Sequence, residues 1–160
     1  MTRTMRLTLV FVAATSGTAL AQATGVIVNG QTGFVIGVPG GSTNGGVPLV
    51  TWQRNGSANQ RWSIVPTDRG WFKLVNGGSG LCVGVNGGST ADGAAIVQWH
   101  DDGSMNQQWR WGPRGKGWFL LVNRGSRKVI GVSGGSTTSG AAIVQWHDDG
   151  SMNQQWRLRP

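Results

Sequence analysis

Short apolar runs, separated by turns rich in glycine and asparagine, make up most of the chain after its first 23 residues. In the first part of this region the runs are Ile27–Val28, Phe34–Val38, Val47–Trp52 and Trp62–Val65. None shows the sustained 3.6-residue period of an amphipathic helix, whereas short runs bounded by turn residues are typical of strands. The pattern therefore predicts an all-β protein with four short strands in this part of the chain.

The same pattern recurs twice more, with a gapless period of 47 residues. Two series of tryptophans mark the register: Trp52, Trp99 and Trp146, and then Trp62, Trp109 and Trp156. Three repeats, 24–70, 71–117 and 118–160, predict about twelve strands with pseudo-threefold symmetry. A propeller blade also has four strands, but propellers usually have at least about four blades, so three repeats favour a β-trefoil.

The first 23 residues have the features of a secretory signal peptide. Arg3 and Arg6 supply a positive start, Leu7–Ala14 is an apolar stretch of eight residues, and Ala19–Ala21 is a small-residue cleavage signal. The apolar stretch is too short to span a bilayer, and no later segment of the sequence reaches that length. We therefore expect a secreted protein with residues 1–23 removed, one domain over 24–160, and no membrane insertion.

Cysteine usage and composition limit what can hold this domain together. Cys82 is the only cysteine, so no disulfide can form within the chain. Its neighbours Leu81 and Val83 would not activate a thiolate, and we expect Cys82 to be buried as a small apolar residue. Since 38% of residues are hydrophobic and only 12% are charged, we expect a folded core that depends on packing and hydrogen bonds.

A Q-x-W motif occurs once in each repeat, at Gln60–Trp62, Gln107–Trp109 and Gln154–Trp156. Together with Leu81–Val85, Gly87–Thr90 and Val97–Trp99, these motifs make the chain similar to the ricin B-type lectins. The resemblance implies a β-trefoil that binds carbohydrate and is not a catalyst. Because a tryptophan that recurs once per repeat is most simply a core anchor, we expect the tryptophans of the Q-x-W motifs to be structural.

The resemblance also implies where a sugar would bind. It places a sugar-stacking aromatic residue at the tryptophan that ends the third run of each repeat, and an amide contact at the Asn-Gln pair that precedes the last tryptophan. With two aspartates discussed next, the candidate carbohydrate-binding residues are Trp52, Asn59, Gln60, Trp99, Asp101, Asn106, Gln107, Trp146, Asp148, Asn153 and Gln154. An indole can stack on the apolar face of a sugar while amides and carboxylates bond its hydroxyls.

The chain departs from these lectins at one position in every repeat. Where family members that bind sugar have an aspartate on the middle strand, this chain has Gly37, Gly84 and Gly131. We hypothesise that Asp101 and Asp148 replace the missing carboxylate in repeats two and three. The alternative is that these loops, which continue as Asp-Gly, are turn formers alone. Repeat one has Gln53–Asn55 at this place and therefore lacks both carboxylates.

The net charge of the chain indicates which kind of partner it can attract. The formal net charge is +8, and removal of Arg3 and Arg6 leaves +6. A basic surface favours anionic partners, so the expected carbohydrate includes an anionic polysaccharide or a cell-surface glycan. No nucleic-acid-binding motif is present in the sequence, and we expect no nucleic acid partner. The charges could also serve solubility alone.

The sequence thus predicts a lectin, with two other classes of function weighed against it. A β-trefoil could instead bind another protein, as a protease inhibitor or a toxin subunit does, because one fold is reused for many functions. An enzyme is not expected, because His100 and His147 lie in separate repeats and no serine or cysteine nucleophile recurs beside them. We also expect no metal and no cofactor, since adjacent residues of one turn rarely converge on a single ion.

Overall fold

The computed structural model describes residues 22–160 and has twelve strands, four in each repeat. The first repeat contains β1 (Thr24–Asn29), β2 (Val35–Gly37), β3 (Val50–Trp52) and β4 (Trp62–Pro66). The second contains β5 (Phe72–Asn76), β6 (Cys82–Val85), β7 (Ile96–Trp99) and β8 (Trp109–Gly115). The third contains β9 (Trp118–Asn123), β10 (Val129–Val132), β11 (Ile143–Trp146) and β12 (Trp156–Arg159). The predicted signal peptide falls almost wholly on residues 1–21, which lie outside the described residues.

Six of these strands form a closed antiparallel barrel. The pairs β1–β4, β4–β5, β5–β8, β8–β9, β9–β12 and β12–β1 complete the ring. The other six form three hairpins, β2–β3, β6–β7 and β10–β11. This arrangement confirms the predicted all-β trefoil, and closure of the barrel removes most exposed strand edges.

The hairpins meet around the threefold axis. Single bridges join Pro48 to Val97, Val50 to Ala142 and Ala95 to Val144. The second strand of each hairpin, which is the third strand of its repeat, is shorter than the apolar run suggested. The run predicted over Val47–Trp52 becomes a strand only at residue 50, because residues 47–49 form hydrogen bonds with the hairpins of the other two repeats instead of their own.

The second series of tryptophans anchors the core. Trp62, Trp109 and Trp156 are fully buried. Each indole N–H donates to a backbone carbonyl of the second strand in its own repeat, at Ile36, Val83 and Ile130, over 2.9–3.0 Å. A large apolar ring with a satisfied N–H is a stable core element, and the predicted structural role is confirmed.

Cys82 is buried in β6, as the sequence suggested. Burial, with a smaller contribution from Asp101, raises the pKa of its thiol to about 11. A neutral buried thiol behaves as a small apolar side chain. In the region from residue 22 onward, no helix has the length and hydropathy that crossing a bilayer requires.

Candidate functional site

A shallow surface groove of about 430 Å³ opens in the second repeat. It is lined by Gly84 of β6 and by the turn Asn86–Gly88. Trp99, at the end of β7, lines it as well, together with Asp102 and Asn106. We call this the second groove. Its walls thus combine one aromatic face with a carboxylate, an amide and glycine-rich backbone.

The first repeat has a matching groove of about 480 Å³, which we call the first groove. Trp52, Asn55 and Asn59 occupy the places of the tryptophan, carboxylate and amide of the second groove. Gly140 of the third repeat also lines it. In the third repeat the corresponding trio is Trp146, Asp149 and Asn153, and we call the surface between them the third groove. The aromatic and amide positions are therefore the same in all three repeats.

The groove tryptophans are exposed, unlike those of the core. Trp52, Trp99 and Trp146 are 47%, 40% and 39% exposed. Each ring rests on a glycine of another repeat. A Cβ atom at Gly140 would lie 3.0 Å from Trp52, and one at Gly46 would lie 3.3 Å from Trp99. Because these glycines also have φ near +85°, any other residue there would be strained and would crowd the indole.

A buried glutamine fixes the loop beside two of these tryptophans. The amide of Gln98 donates to the carbonyls of Ser42 and Asn44, over 2.9 and 2.8 Å, and its oxygen accepts from the Ser79 hydroxyl. Gln145 makes the same three hydrogen bonds one repeat later. Sequence reasoning did not assign these residues a role. Their signal was a glutamine placed directly before the exposed tryptophan in two repeats.

The first repeat has Thr51 at this position, and its side chain is too short to bridge the loop. The Thr51 hydroxyl is buried without a hydrogen-bond partner. The hydroxyl of Ser139, in the loop that a glutamine here would hold, also lacks one. Buried polar groups without partners are destabilising, so the first groove has weaker support than the other two.

The glutamines of the Q-x-W motifs lie beneath the grooves. Gln60, Gln107 and Gln154 are each 1% exposed. The oxygen of Gln107 accepts from the Asp102 backbone N–H over 3.1 Å, and its amide donates to the His100 carbonyl over 2.7 Å. Gln60 also lines the first groove, and direct ligand contact by these three glutamines stays a prediction. These side chains hold the loop that carries Asp102.

The asparagines reach the grooves themselves. The Asn106 amide donates to the Ser104 hydroxyl over 2.8 Å, and Asn153 makes the same bond to Ser151. A Cβ atom at Gly84 would lie 3.0 Å from the Asn106 side-chain oxygen. The amide therefore covers the backbone where the sequence resemblance implies an aspartate, and glycine leaves room for the amide.

The two aspartates hypothesised to replace that carboxylate point elsewhere. Asp101 forms an ion pair with Lys73 of β5, and Asp148 forms one with Arg114 of β8. Asp102 lines the groove instead, one residue further along. The structure thus moves the candidate carboxylate to the second aspartate of each loop, whereas ligand contact by the first stays a prediction.

Asp102 and Asp149 are held in the same way in repeats two and three. Each carboxylate accepts from the backbone N–H two residues on, Ser104 or Ser151, over 2.9 Å. The serine hydroxyl and this N–H hold the pKa of both carboxyls below the usual range. A carboxylate kept ionised in an exposed loop can accept hydrogen bonds from sugar hydroxyls.

The third repeat has one contact that the others lack. Asp92, in a loop of the second repeat, accepts from the His147 backbone N–H over 2.9 Å and bonds its ring over 2.8 Å. The His147 hydrogen bond, ahead of that from Lys128, holds the pKa of Asp92 below its usual range. Gly45 stands at the corresponding position beside His100. In residues 22–160 no three His, Cys, Asp or Glu side chains are arranged to hold a metal ion.

Residues 23–156 match the family described as ricin-type beta-trefoil lectin domain. A designed threefold-symmetric protein, ThreeFoil, is 36% identical, with a TM-score of 0.84 over 86% of this chain and 98% of its own. None of the curated proteins compared with the chain matches it in sequence.

Two natural proteins have the same fold. An exo-beta-1,3-galactanase from Clostridium thermocellum is 36% identical, with a TM-score of 0.82 over 84% of this chain. The match spans only 29% of that enzyme. A Macrolepiota procera ricin B-like lectin, solved with lactose, is 24% identical, with a TM-score of 0.76 over 90% of this chain and all of its own. At that identity the likeness shows the fold alone.

Proposed function

The chain belongs to the ricin-type beta-trefoil lectin domain family, and on that premise we propose that it is a secreted lectin that binds a poly- or oligosaccharide in its three grooves. One observation carries the proposal: each groove holds an exposed tryptophan in place, although the fold buries an equally large tryptophan a few residues later. Exposed indoles on a rigid support favour a ligand with an apolar face. Secretion rests on the predicted signal peptide.

The grooves are suited to a sugar ring. The C–H face of the ring stacks on the indole, and its hydroxyls bond polar side chains that line the same groove. In the second groove these are Asn106 and Asp102. Because Gln107 and Gln98 fix the loops on either side, binding requires little ordering of the protein. The proposed function is binding of the sugar alone, without cleavage of a covalent bond.

The three grooves should not be equivalent. Asn55 in the first groove takes the place of a carboxylate, and a neutral amide forms weaker hydrogen bonds with hydroxyls. The third groove has the aspartate and the additional support of Asp92. We infer that the second and third grooves bind most tightly, and that a polysaccharide occupying several weak grooves gains avidity.

The test begins with a glycan array on the secreted protein at two salt concentrations. Binding through stacking and hydrogen bonds should persist at high salt, whereas charge attraction alone should vanish. Titration calorimetry with the best oligosaccharide then compares the protein with a Trp52→Ala/Trp99→Ala/Trp146→Ala variant. A Met105→Ala/Met152→Ala variant removes two exposed apolar residues of similar exposure as a control.

The triple tryptophan variant should lose binding by at least about a hundredfold, while the methionine variant binds normally. Each single tryptophan variant should lower the number of occupied sites by one. Unchanged affinity in the triple variant would refute the proposed grooves. Binding of a protein ligand and of no glycan would favour the protein-binding alternative.

A further inference from the structure

Outside the grooves, one tryptophan is surrounded by arginines. Trp71 lies just before β5 and is 6% exposed. The guanidinium carbons of Arg110, Arg124 and Arg127 lie 4.6, 5.5 and 5.4 Å from the centroid of its ring. Arg69 belongs to the turn that precedes Trp71. We call Trp71 and these four arginines the arginine patch.

The patch contains more positive than negative charge. Asp68 accepts two hydrogen bonds from Arg124, over 2.5 and 3.2 Å. Within residues 22–160, it is the one carboxylate that forms an ion pair with an arginine of the patch. Arg110 and Arg127 are exposed and form no ion pair with an acidic residue of that region. A guanidinium resting against an indole is oriented but keeps N–H groups free, which suits a planar or tetrahedral anion.

The backbone under the patch is unusual. Arg127 has a φ of +65°, a conformation that disfavours residues other than glycine. The equivalent residues of the first two repeats are Gly33 and Gly80, with φ of +75° and +72°. The third repeat thus has a strained arginine where a glycine would fit without strain. Strained residues cluster at functional sites, so this position favours a function for the side chain.

The patch adjoins the second groove. The Arg124 side chain donates to the Gln108 side-chain oxygen over 2.7 Å, and its backbone N–H donates to the Gln108 carbonyl over 2.9 Å. Asn123, at the start of the same turn, donates to the carbonyl of Asn106, which lines the groove. The turns beside the first and third grooves have glycine in place of both arginines, at Gly77 and Gly80 and at Gly30 and Gly33.

We propose that the arginine patch binds a carboxylate or sulfate group of an acidic polysaccharide, a neighbouring sugar of which occupies the second groove. The sugar half of this inference rests on the proposed function, whereas the anion half rests on the patch alone. Nucleic acid is a poorer fit, because single-stranded bases need exposed aromatic rings for stacking and Trp71 is covered.

The test uses two double variants of equal charge. Arg110→Ser/Arg127→Gly installs the residues that the first repeat has at these positions, and the glycine relieves the strained φ. Lys116→Gly/Arg159→Ser is the control: it removes two positive charges elsewhere, one of them also at a positive φ. Thermal unfolding of both variants verifies that the fold is retained.

Binding is measured to dextran sulfate, polygalacturonate, neutral dextran and an oligothymidylate of matched charge. We expect the patch variant to bind at least one of the two acidic polysaccharides at least about tenfold more weakly, with the control within about twofold of the unaltered protein. Trp99→Ala should weaken the same interaction more than Trp52→Ala does, because the patch adjoins the second groove and not the first. Whichever acidic polymer responds identifies the anion as a sulfate or a carboxylate.

Three results would overturn the proposal. These are no binding of either acidic polysaccharide, equal weakening by both double variants, and tighter binding of the oligothymidylate that the patch variant abolishes. The proposed function is tested by a separate measurement, the binding of the neutral oligosaccharide selected on the glycan array. That binding should survive the patch variant, so its absence in the unaltered protein would count against the grooves and not against the patch.

Discussion

The interior and the rim of the three repeats differ in how closely they follow the threefold symmetry. In the interior, the buried tryptophan, the Q-x-W glutamine and the asparagine that ends the first strand make the same hydrogen bonds in each repeat. At the rim, the first repeat has Thr51 and Asn55 where the others have glutamine and aspartate. The comparison indicates that the hydrogen bonds inside the barrel follow the threefold symmetry, while positions beside the grooves have diversified, whether buried like Thr51 or exposed like Asn55.

The largest effect on stability should follow from replacing a buried tryptophan by alanine, compared with the same replacement of an exposed one. Trp109→Ala should lower the free energy of unfolding by about 3–5 kcal/mol, because it leaves a large cavity and an unpaired Val83 carbonyl. Trp99→Ala should lower it by about 1 kcal/mol or less while removing binding in the second groove. Urea unfolding measures both. Equal destabilisation by the two substitutions would contradict the division between core and rim.

A smaller loss of stability should follow from replacing Gln145 of the third repeat by threonine, the residue that the first repeat has at this position. Gln145→Thr removes three side-chain hydrogen bonds and leaves the carbonyls of Ser89 and Ala91 without these donors. We expect destabilisation of about 1–3 kcal/mol by chemical denaturation. Gln53→Thr is the matched control, because this exposed side chain supports no loop. If both variants were equally stable, the support of the loop by Gln145 would have no energetic weight.

The reverse substitution should stabilise the first repeat. In Thr51→Gln, the new amide can reach the carbonyls of Ser136 and Thr138, which correspond to those bound by Gln98. We expect a gain of about 1 kcal/mol in the free energy of unfolding. Thr51→Val, which only removes the unpartnered hydroxyl, should be close to neutral. A Thr51→Gln variant less stable than Thr51→Val would refute this account.

The smallest effect concerns acid stability. The pKa values of Asp102 and Asp149 are lower in the folded protein, so their contribution to stability is present above pH 4, roughly, and is lost as the pH falls through the folded pKa. The contribution is small because both loops are exposed. An Asp102→Asn/Asp149→Asn variant, which copies Asn55, should lose less stability than the unaltered protein between pH 6 and pH 2.5, roughly. If the variant and the unaltered protein lost the same stability over this pH range, the two carboxylates would contribute nothing to acid stability.

The repeat explains why so much of the fold could be predicted. A fixed spacing of tryptophans and turn glycines specifies twelve strands and a closed threefold barrel, because only a few architectures accept three such units. The residue at which the second strand of each hairpin begins could not be predicted in the same way. Val47–Leu49 has the apolar character of a strand, but its hydrogen bonds go to the other two repeats, and those partners are fixed only by the assembled barrel.

The candidate site was less predictable. Trp52, Trp99 and Trp146 reach the surface as expected. Which aspartate of an Asp-Asp pair faces the groove depends on the direction of the loop, and Lys73 draws Asp101 towards the barrel. Likewise, the sequence does not reveal that arginines from two repeats converge on Trp71, because this contact joins residues far apart in the chain.

The central claim is that sugar binds at the exposed indoles and not at the buried ones. The protein has nine tryptophans, and each indole N–H gives its own signal in a proton–nitrogen correlation spectrum. During titration with the bound oligosaccharide, we predict that the signals of Trp52, Trp99 and Trp146 shift most, and that those of Trp62, Trp109 and Trp156 stay nearly unchanged. Saturating binding that leaves the first three signals unmoved would contradict the account.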